Sequence, residues 1–136
     1  MSDILCLSGV VLFLLGLLTG LAIPALRSPR IGLSAHLTGV QSGTFLIACG
    51  LLWPRLSLGS WSGAVGHTLW VSLYAVWLSL LLAGFFGAGR GLPIAGQGIT
   101  TTAMKQGVVS VLLIGGSLAV LVAVAAMLVG WHWQVV

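Results

Sequence analysis

The stretch GVVSVLLIGGSLAVLVAVAAMLVG, Gly107 to Gly130, decides the fold, because it runs for twenty-four residues without a charged side chain. A helix rises about 1.5 Å per residue, so about 20 apolar residues cover the hydrocarbon core of a bilayer. Outward from this stretch, toward the N-terminus, lie three more of the same kind: Val65 to Phe86, Ser34 to Trp53 and Ile4 to Leu26. Together they consume most of the 136 residues, 59% of which are hydrophobic and 4% charged, with a mean hydropathy of +1.20. These values read as an all-α integral membrane protein. We expect a single transmembrane domain over residues 1–136, with helices at about 4–26, 34–53, 65–86 and 107–130. The first stretch is longer than a signal-peptide core, and Met1-Ser2-Asp3 ahead of it holds no Lys or Arg, so it is expected to stay as a helix.

Charge limits the chemistry. Asp3 is the one side-chain carboxylate in the chain. Paired-carboxylate acid/base work, Asp/Glu metal cages and intramembrane carboxylate relays therefore have no residues to use. Any chemistry falls to histidine, hydroxyls, thiols, backbone or a bound cofactor. The net charge of +4 comes from five scattered cations that form no stripe a phosphate backbone could follow, so no nucleic-acid partner is expected. Arg27 and Arg30 fall between helices 1 and 2, Arg90 and Lys105 between helices 3 and 4, and Arg55 on the opposite side. That bias places the first and third loops in the cytoplasm and both termini outside. Trp53, Trp61, Trp131 and Trp133 fall on the side of the termini, where indoles favour the interface. Cys6 and Cys49 lie near that same face, and packing as small hydrophobes is expected over a disulfide.

Small residues recur four apart in every helix: Gly16 and Gly20, Gly39 and Gly43, Ala75, Ser79 and Ala83, then Gly115, Ala119 and Ala123. Such spacing lets helix backbones approach, within one bundle or between subunits. Its presence in all four helices suggests a homo-oligomer. The first loop is stopped by Pro24 and Pro29, and the second is a Gly/Ser-rich turn from Pro54 to Ala64. The third, Gly87 to Gln106, is long and glycine-rich, a length usually kept for function, and could fold back as a lid.

Of the three histidines, His67 and His132 read as interfacial. His36 differs: it reads as first-turn on helix 2, with Ser34 as a cap, and shares a face with Gly39, Val40 and Gly43. A glycine strip beneath an imidazole offers either a packing face or a flat seat for a macrocycle such as haem, with His36 as axial ligand. Arg90 lies at a similar depth, with Arg27, Arg30, Gln97 and Lys105 near that level, and guanidinium groups suit haem propionates as well as simple anchoring. Gln41 and Ser42, level with Trp77 to Leu81, are intramembrane polar candidates. Tyr74 is about two turns deeper still and is not expected at an iron held by His36.

Ala35-His36, Gly43, Leu52, Pro54, Leu56, Gly59 and Arg90-Gly91-Leu92 resemble the small four-helix membrane isomerases that include styrene oxide isomerase. The size, bare N-terminus and compact loops resemble the hydroxylaminobenzene mutases more closely. The resemblance implies a homotrimer in the inner membrane of a bacterium, in which ferric haem b, held by His36 as metal ligand, acts as a Lewis acid. Gly39, Gly43 and Arg90 would complete the cofactor site, and Gln41, Ser42 and Trp77 would orient a small aromatic substrate. The epoxide isomerases carry Asn at the position of Ser42 and Tyr at that of Leu81. Those departures favour conversion of aryl hydroxylamines to 2-aminophenols over rearrangement of epoxides. A non-catalytic haem protein and a small transporter are the remaining alternatives, the latter disfavoured by the missing membrane carboxylate.

Overall fold

The computed structural model describes residues 1–132 apart from Gly91, Pro93, Gln97 and Gly98, and His132 in its backbone alone. The expected placements of Gln97 and Trp133 fall outside the described residues. Four α-helices follow in order: α1 (Ser2–Ala22), α2 (Pro29–Leu52), α3 (Ser62–Phe86) and α4 (Ala103–His132). Each is long and apolar enough to cross a membrane, and no strand occurs among the described residues. The expected four-helix membrane architecture is what the chain adopts.

The helix starts differ from the sequence reading. α2 begins at Pro29, five residues before Ser34, with Ser28 in the N-cap position. Proline suits the first helical position because its missing N–H would have no intrahelical partner there. Ser34 does not cap; its hydroxyl turns back to the Arg30 carbonyl at 3.4 Å. His36 is therefore the eighth residue of α2 rather than a first-turn residue, about 10 Å in from the helix start. α4 starts at Ala103, so the third connection is shorter than expected. Its described part turns on itself, with Leu92 donating to Gly89, Gly96 to Leu92 and Ile99 to Gly96, and Gly89 packed directly on Gly96.

α1 and α2 form the tightest seam. A Cβ on Gly16 would lie 2.6 Å from the Val40 nitrogen, and one on Gly39 would lie 2.6 Å from the Gly16 Cα. Gly43 meets the Phe13 backbone and Gly9 the Gly43 carbonyl at similar range, so each helix lies in contact with the other's main chain. In lipid, where apolar burial gives no drive to associate, dispersion between backbones and Cα–H···O contacts supplies it. α3 packs on α2 and α4 packs on α3, while α4 has no extended contact with α1. Single hydrogen bonds add to these contacts: Tyr74 on α3 donates to the Ser8 carbonyl on α1 at 2.8 Å, and Ser79 on α3 to the Val109 carbonyl on α4 at 2.9 Å.

The two ends of the bundle are closed differently. At one end Trp53 is buried and its indole N–H donates to the Ser62 hydroxyl at 2.9 Å, so it serves the core rather than the interface expected for it. Trp61 and Trp131, by contrast, are exposed. At the other end α3 stops at Gly87, whose φ of 71° is the left-handed C-cap that glycine adopts without strain. The Arg27 side chain lies over that cap, a favourable place for a cation beside the carbonyl end of a helix. Both cysteines are free, Cys49 buried and Cys6 against Gly50, as small hydrophobes would be.

Candidate functional site

His36 is placed by α1. Its Nδ1 lies 2.8 Å from the Gly16 carbonyl oxygen. A carbonyl can only accept, so Nδ1 carries the proton and the lone pair belongs to Nε2. Gly20 makes room for the ring: a Cβ there would sit 2.7 Å from Nδ1 and 3.0 Å from Cε1. Nε2 makes no hydrogen bond and is not sealed in, because the one buried side-chain nitrogen or oxygen without a partner among the described residues is Nε1 of Trp77. In its neutral form the imidazole is thus fixed in tautomer by a backbone carbonyl and open at Nε2. That is the form in which histidine ligates a metal, the carbonyl orienting the ring and raising its basicity.

The arrangement also constrains the kind of metal. Among the described residues no group of three His, Cys, Asp or Glu side chains comes together to hold a bare ion. A single imidazole matches an iron that arrives with four ligands of its own, as in a porphyrin.

The other expected site residues divide among three places. Gly39 and Gly43 face α1 backbone rather than open space, so they do not form the flat seat that a macrocycle needs; their glycines serve helix contact. Gln41 is exposed and, at about 100° per residue, lies roughly 140° around α2 from His36. Ser42 is buried at 8% exposure and its hydroxyl has no partner among the described residues. Trp77, also 8% exposed, reaches Gly39 from α3: a Cβ on that glycine would lie 2.8 Å from Cδ1 and 3.0 Å from Nε1. Gly39 therefore stands at a junction of three helices, one turn of α2 from His36. Arg90 is not joined to His36. Its backbone N–H donates to Oε1 of Gln106 at 3.3 Å, and it lines a cavity of about 500 Å³ at the start of α4.

Gly16 and Gly20, which spacing marks only as packing positions, are the residues that place the His36 ring. Tyr74 is occupied at Ser8, away from His36, as expected from its depth. His67 is exposed and accepts from the Trp70 indole at 3.1 Å, which suits an interfacial residue.

With the geometry in place, similarity to known proteins can be weighed. Hydroxylaminobenzene mutase HabB of Ectopseudomonas oleovorans is 51% identical over 125 residues, covering 90% of this chain and 76% of that protein. Hydroxylaminobenzene mutase HabA of the same organism is 43% identical over 132 residues, covering 96% of this chain and 98% of HabA. No solved structure matches. Residues 1–132 match the family model for styrene oxide isomerase. Intramolecular transfer within one substrate, and not hydrolysis or net redox, is the chemistry these relatives share by name, and it is one a chain with a single carboxylate can support. This chain, a multi-pass helical membrane protein, belongs to the styrene oxide isomerase family and is an isomerase.

Proposed function

We propose that the protein converts aryl hydroxylamines, hydroxylaminobenzene among them, to 2-aminophenols in the inner membrane of a bacterium. The reading is supported by the two mutases, which cover nearly the whole chain, and by Ser42 and Leu81 standing where the epoxide isomerases carry Asn and Tyr. In the reaction the N–O bond breaks, a C–O bond forms at the ortho carbon, and the proton on that carbon passes to nitrogen. Substrate and product are isomers, so no oxidant, reductant or external water enters.

The observation that carries the proposal is the pinned tautomer of His36, with Nδ1–H on the Gly16 carbonyl and Nε2 free. We propose that His36, through Nε2, would hold the iron of ferric haem b, and that this group would supply a Lewis acid. The chain's own contribution is orientation and exclusion. Gly16 and Gly20 hold the imidazole in one rotation. The apolar flanks of α1 and α2 keep water from a developing cationic nitrogen, which water would otherwise capture. The unpartnered Trp77 N–H and the Ser42 hydroxyl are donors suited to the substrate's polar group. Assembly as a homotrimer is proposed with the same reading, in keeping with the small residues spaced four apart on every helix.

The test is a visible spectrum with product analysis. Purified protein should show a haem Soret band, and His36→Ala should abolish both the band and the formation of 2-aminophenol from phenylhydroxylamine. Label in the N–OH oxygen should appear in the ring hydroxyl. Full turnover by haem-free protein would refute the assignment, and turnover of styrene oxide in preference to phenylhydroxylamine would move the substrate to the epoxides.

A further inference from the structure

The cavity at the start of α4 is not used by the reading above. It measures about 500 Å³ and is lined by Gly89, Arg90, Gly96, Thr100, Thr101 and Gln106, among others. Donor-bearing side chains among its described lining residues are Arg90, Thr100, Thr101 and Gln106. Gln106 is 8% exposed; its Oε1 is taken by the Arg90 backbone N–H, which leaves the amide nitrogen lining the cavity without an acceptor. The amide nitrogen is open to the cavity rather than sealed in the core, so an acceptor arriving from outside can reach it. Thr100 and Thr101 add hydroxyls with no partner among the described residues. Ala103 opens α4 at the cavity wall, where the first backbone N–H groups and the positive end of the helix dipole lie.

Charge narrows the choice. Of the cations at this end, Arg27 lies on the α3 cap at Gly87, and Lys105 sits 4.8 Å from the Phe86 ring centroid, a cation–π contact. Arg90 is exposed, with its guanidinium unpaired among the described residues, and it lines the cavity. No carboxylate can neutralise it, because Asp3 is in the first turn of α1 at the other end of the bundle. A guanidinium fork, two hydroxyls, an amide and a helix start, with no counter-charge of their own, match the several acceptor oxygens of a tetrahedral oxyanion.

We propose that this cavity binds a phosphate group at the membrane surface. Its chemistry is shared by the headgroup of an anionic phospholipid and by free phosphate. Lipid or phosphate retention and the haem band are read separately, so failure of this site and failure of the haem assignment are distinguishable.

The test uses the full chain in lipid nanodiscs. Wild type, Arg90→Gln and Thr101→Val would be reconstituted with phosphatidylcholine alone or with phosphatidylglycerol added, and retained lipid counted by native mass spectrometry. Wild type should keep phosphatidylglycerol, and Arg90→Gln should keep about tenfold less, the loss of one charge-assisted hydrogen bond. Thr101→Val, with all charge in place, should also lose lipid, which diffuse attraction to a basic face would not predict. Thermal unfolding in phosphatidylcholine discs with and without inorganic phosphate separates the sources: protection by phosphate, lost in Arg90→Gln, assigns a free anion, and protection by phosphatidylglycerol alone assigns the lipid. Equal lipid retention and equal phosphate response in all three proteins would overturn the site. So would an Arg90→Gln protein that keeps its lipid and loses its haem band, since the cavity would then serve cofactor carboxylates.

Discussion

Glycine does opposite things in the two halves of the bundle. Along α1 and α2, a Cβ on Gly9, Gly16, Gly39, Gly43 or Gly50 would strike the neighbouring helix's backbone within 3 Å. On the outer face of α4, Gly107 and Gly115 have nothing within 4 Å of the same position, while a Cβ on Gly116, on its inner face, would lie 3.1 Å from the Ser72 carbonyl oxygen of α3. The four-residue spacing of small residues is shared, so spacing grants only the capacity for close approach; a partner at the right depth makes it an interface. The difference matters for chemistry, because His36 reads its tautomer from a carbonyl that only a closed seam can bring to 2.8 Å.

Closing that seam should be the most sensitive feature of the molecule. Gly39→Leu is expected to have the largest effect, since its Cβ alone would lie 2.6 Å from Gly16 Cα and 2.8 Å from Trp77 Cδ1, leaving no side toward which the helix can yield. Overpacking against backbone costs about 3 kcal/mol or more here, and the protein should fail to give a monodisperse folded species in detergent. A well-folded Gly39→Leu chain would mean that the α1–α2 contact is looser than described.

Gly20→Ala asks a narrower question of the same seam. Its methyl group would meet the imidazole ring, 2.7 Å from Nδ1, rather than the backbone, so the helices can stay packed while the ring turns away from Gly16. Helix content and unfolding should stay near wild type, and haem affinity should fall about 10–100-fold, as when the group that orients a metal-bound histidine is lost. Haem titration followed at the Soret band measures this. Unaltered affinity would separate the Gly16 bond from ligation.

Across the other seam the expected effect is smaller. Ser79 is fully buried and its bond to the Val109 carbonyl is a side-chain tie between α3 and α4. Interhelical hydrogen bonds in lipid contribute about 0.6 kcal/mol on average and up to about 1.7, so Ser79→Ala should cost in that range in a reversible unfolding assay. A cost as large as that of Gly39→Leu would erase the contrast between a backbone seam and a side-chain seam.

The two seams also differ in how legible they were. The four spans follow from the need to satisfy every backbone group in lipid; the stretches from Val65 and Gly107 fall inside observed helices, while the first runs past the end of α1 at Ala22 to Leu26 and the second runs one residue past α2, to Trp53. Depth is readable in part: Trp77 reaches Gly39, one turn of α2 from His36, but His36 is the eighth residue of α2 and not in its first turn. Level, however, does not give the direction around a helix, and that is where Gln41 departs from His36. Nor does it give lateral position, so Arg90, at the basic end, belongs with α4 and Gln106 instead of His36. One signal was available and unused. In an antiparallel hairpin, positions equally far from the turn face each other, and Gly20 and His36 stand eight residues either side of Ser28, with Gly16 and Val40 twelve either side. Both pairs are in contact. No comparable arithmetic finds Thr101 or Gln106, because an irregular connection separates α3 from α4.

The smallest effect is expected at the open glycine. Gly115→Leu adds a side chain where no atom of the chain lies within 4 Å, beside the exposed Val111, Ile114 and Leu118. A leucine there removes the helix penalty of glycine, about 0.8–1 kcal/mol relative to alanine in water, and meets acyl chains that are as apolar as itself. Unfolding of the chain should therefore shift by no more than that, about 1 kcal/mol at most, and toward greater stability. Light scattering in detergent gives the second readout. A substantial loss of stability together with a fall in assembled mass would mean that another copy of the chain sits on α4, so that its glycine face is closed after all, between subunits instead of within one.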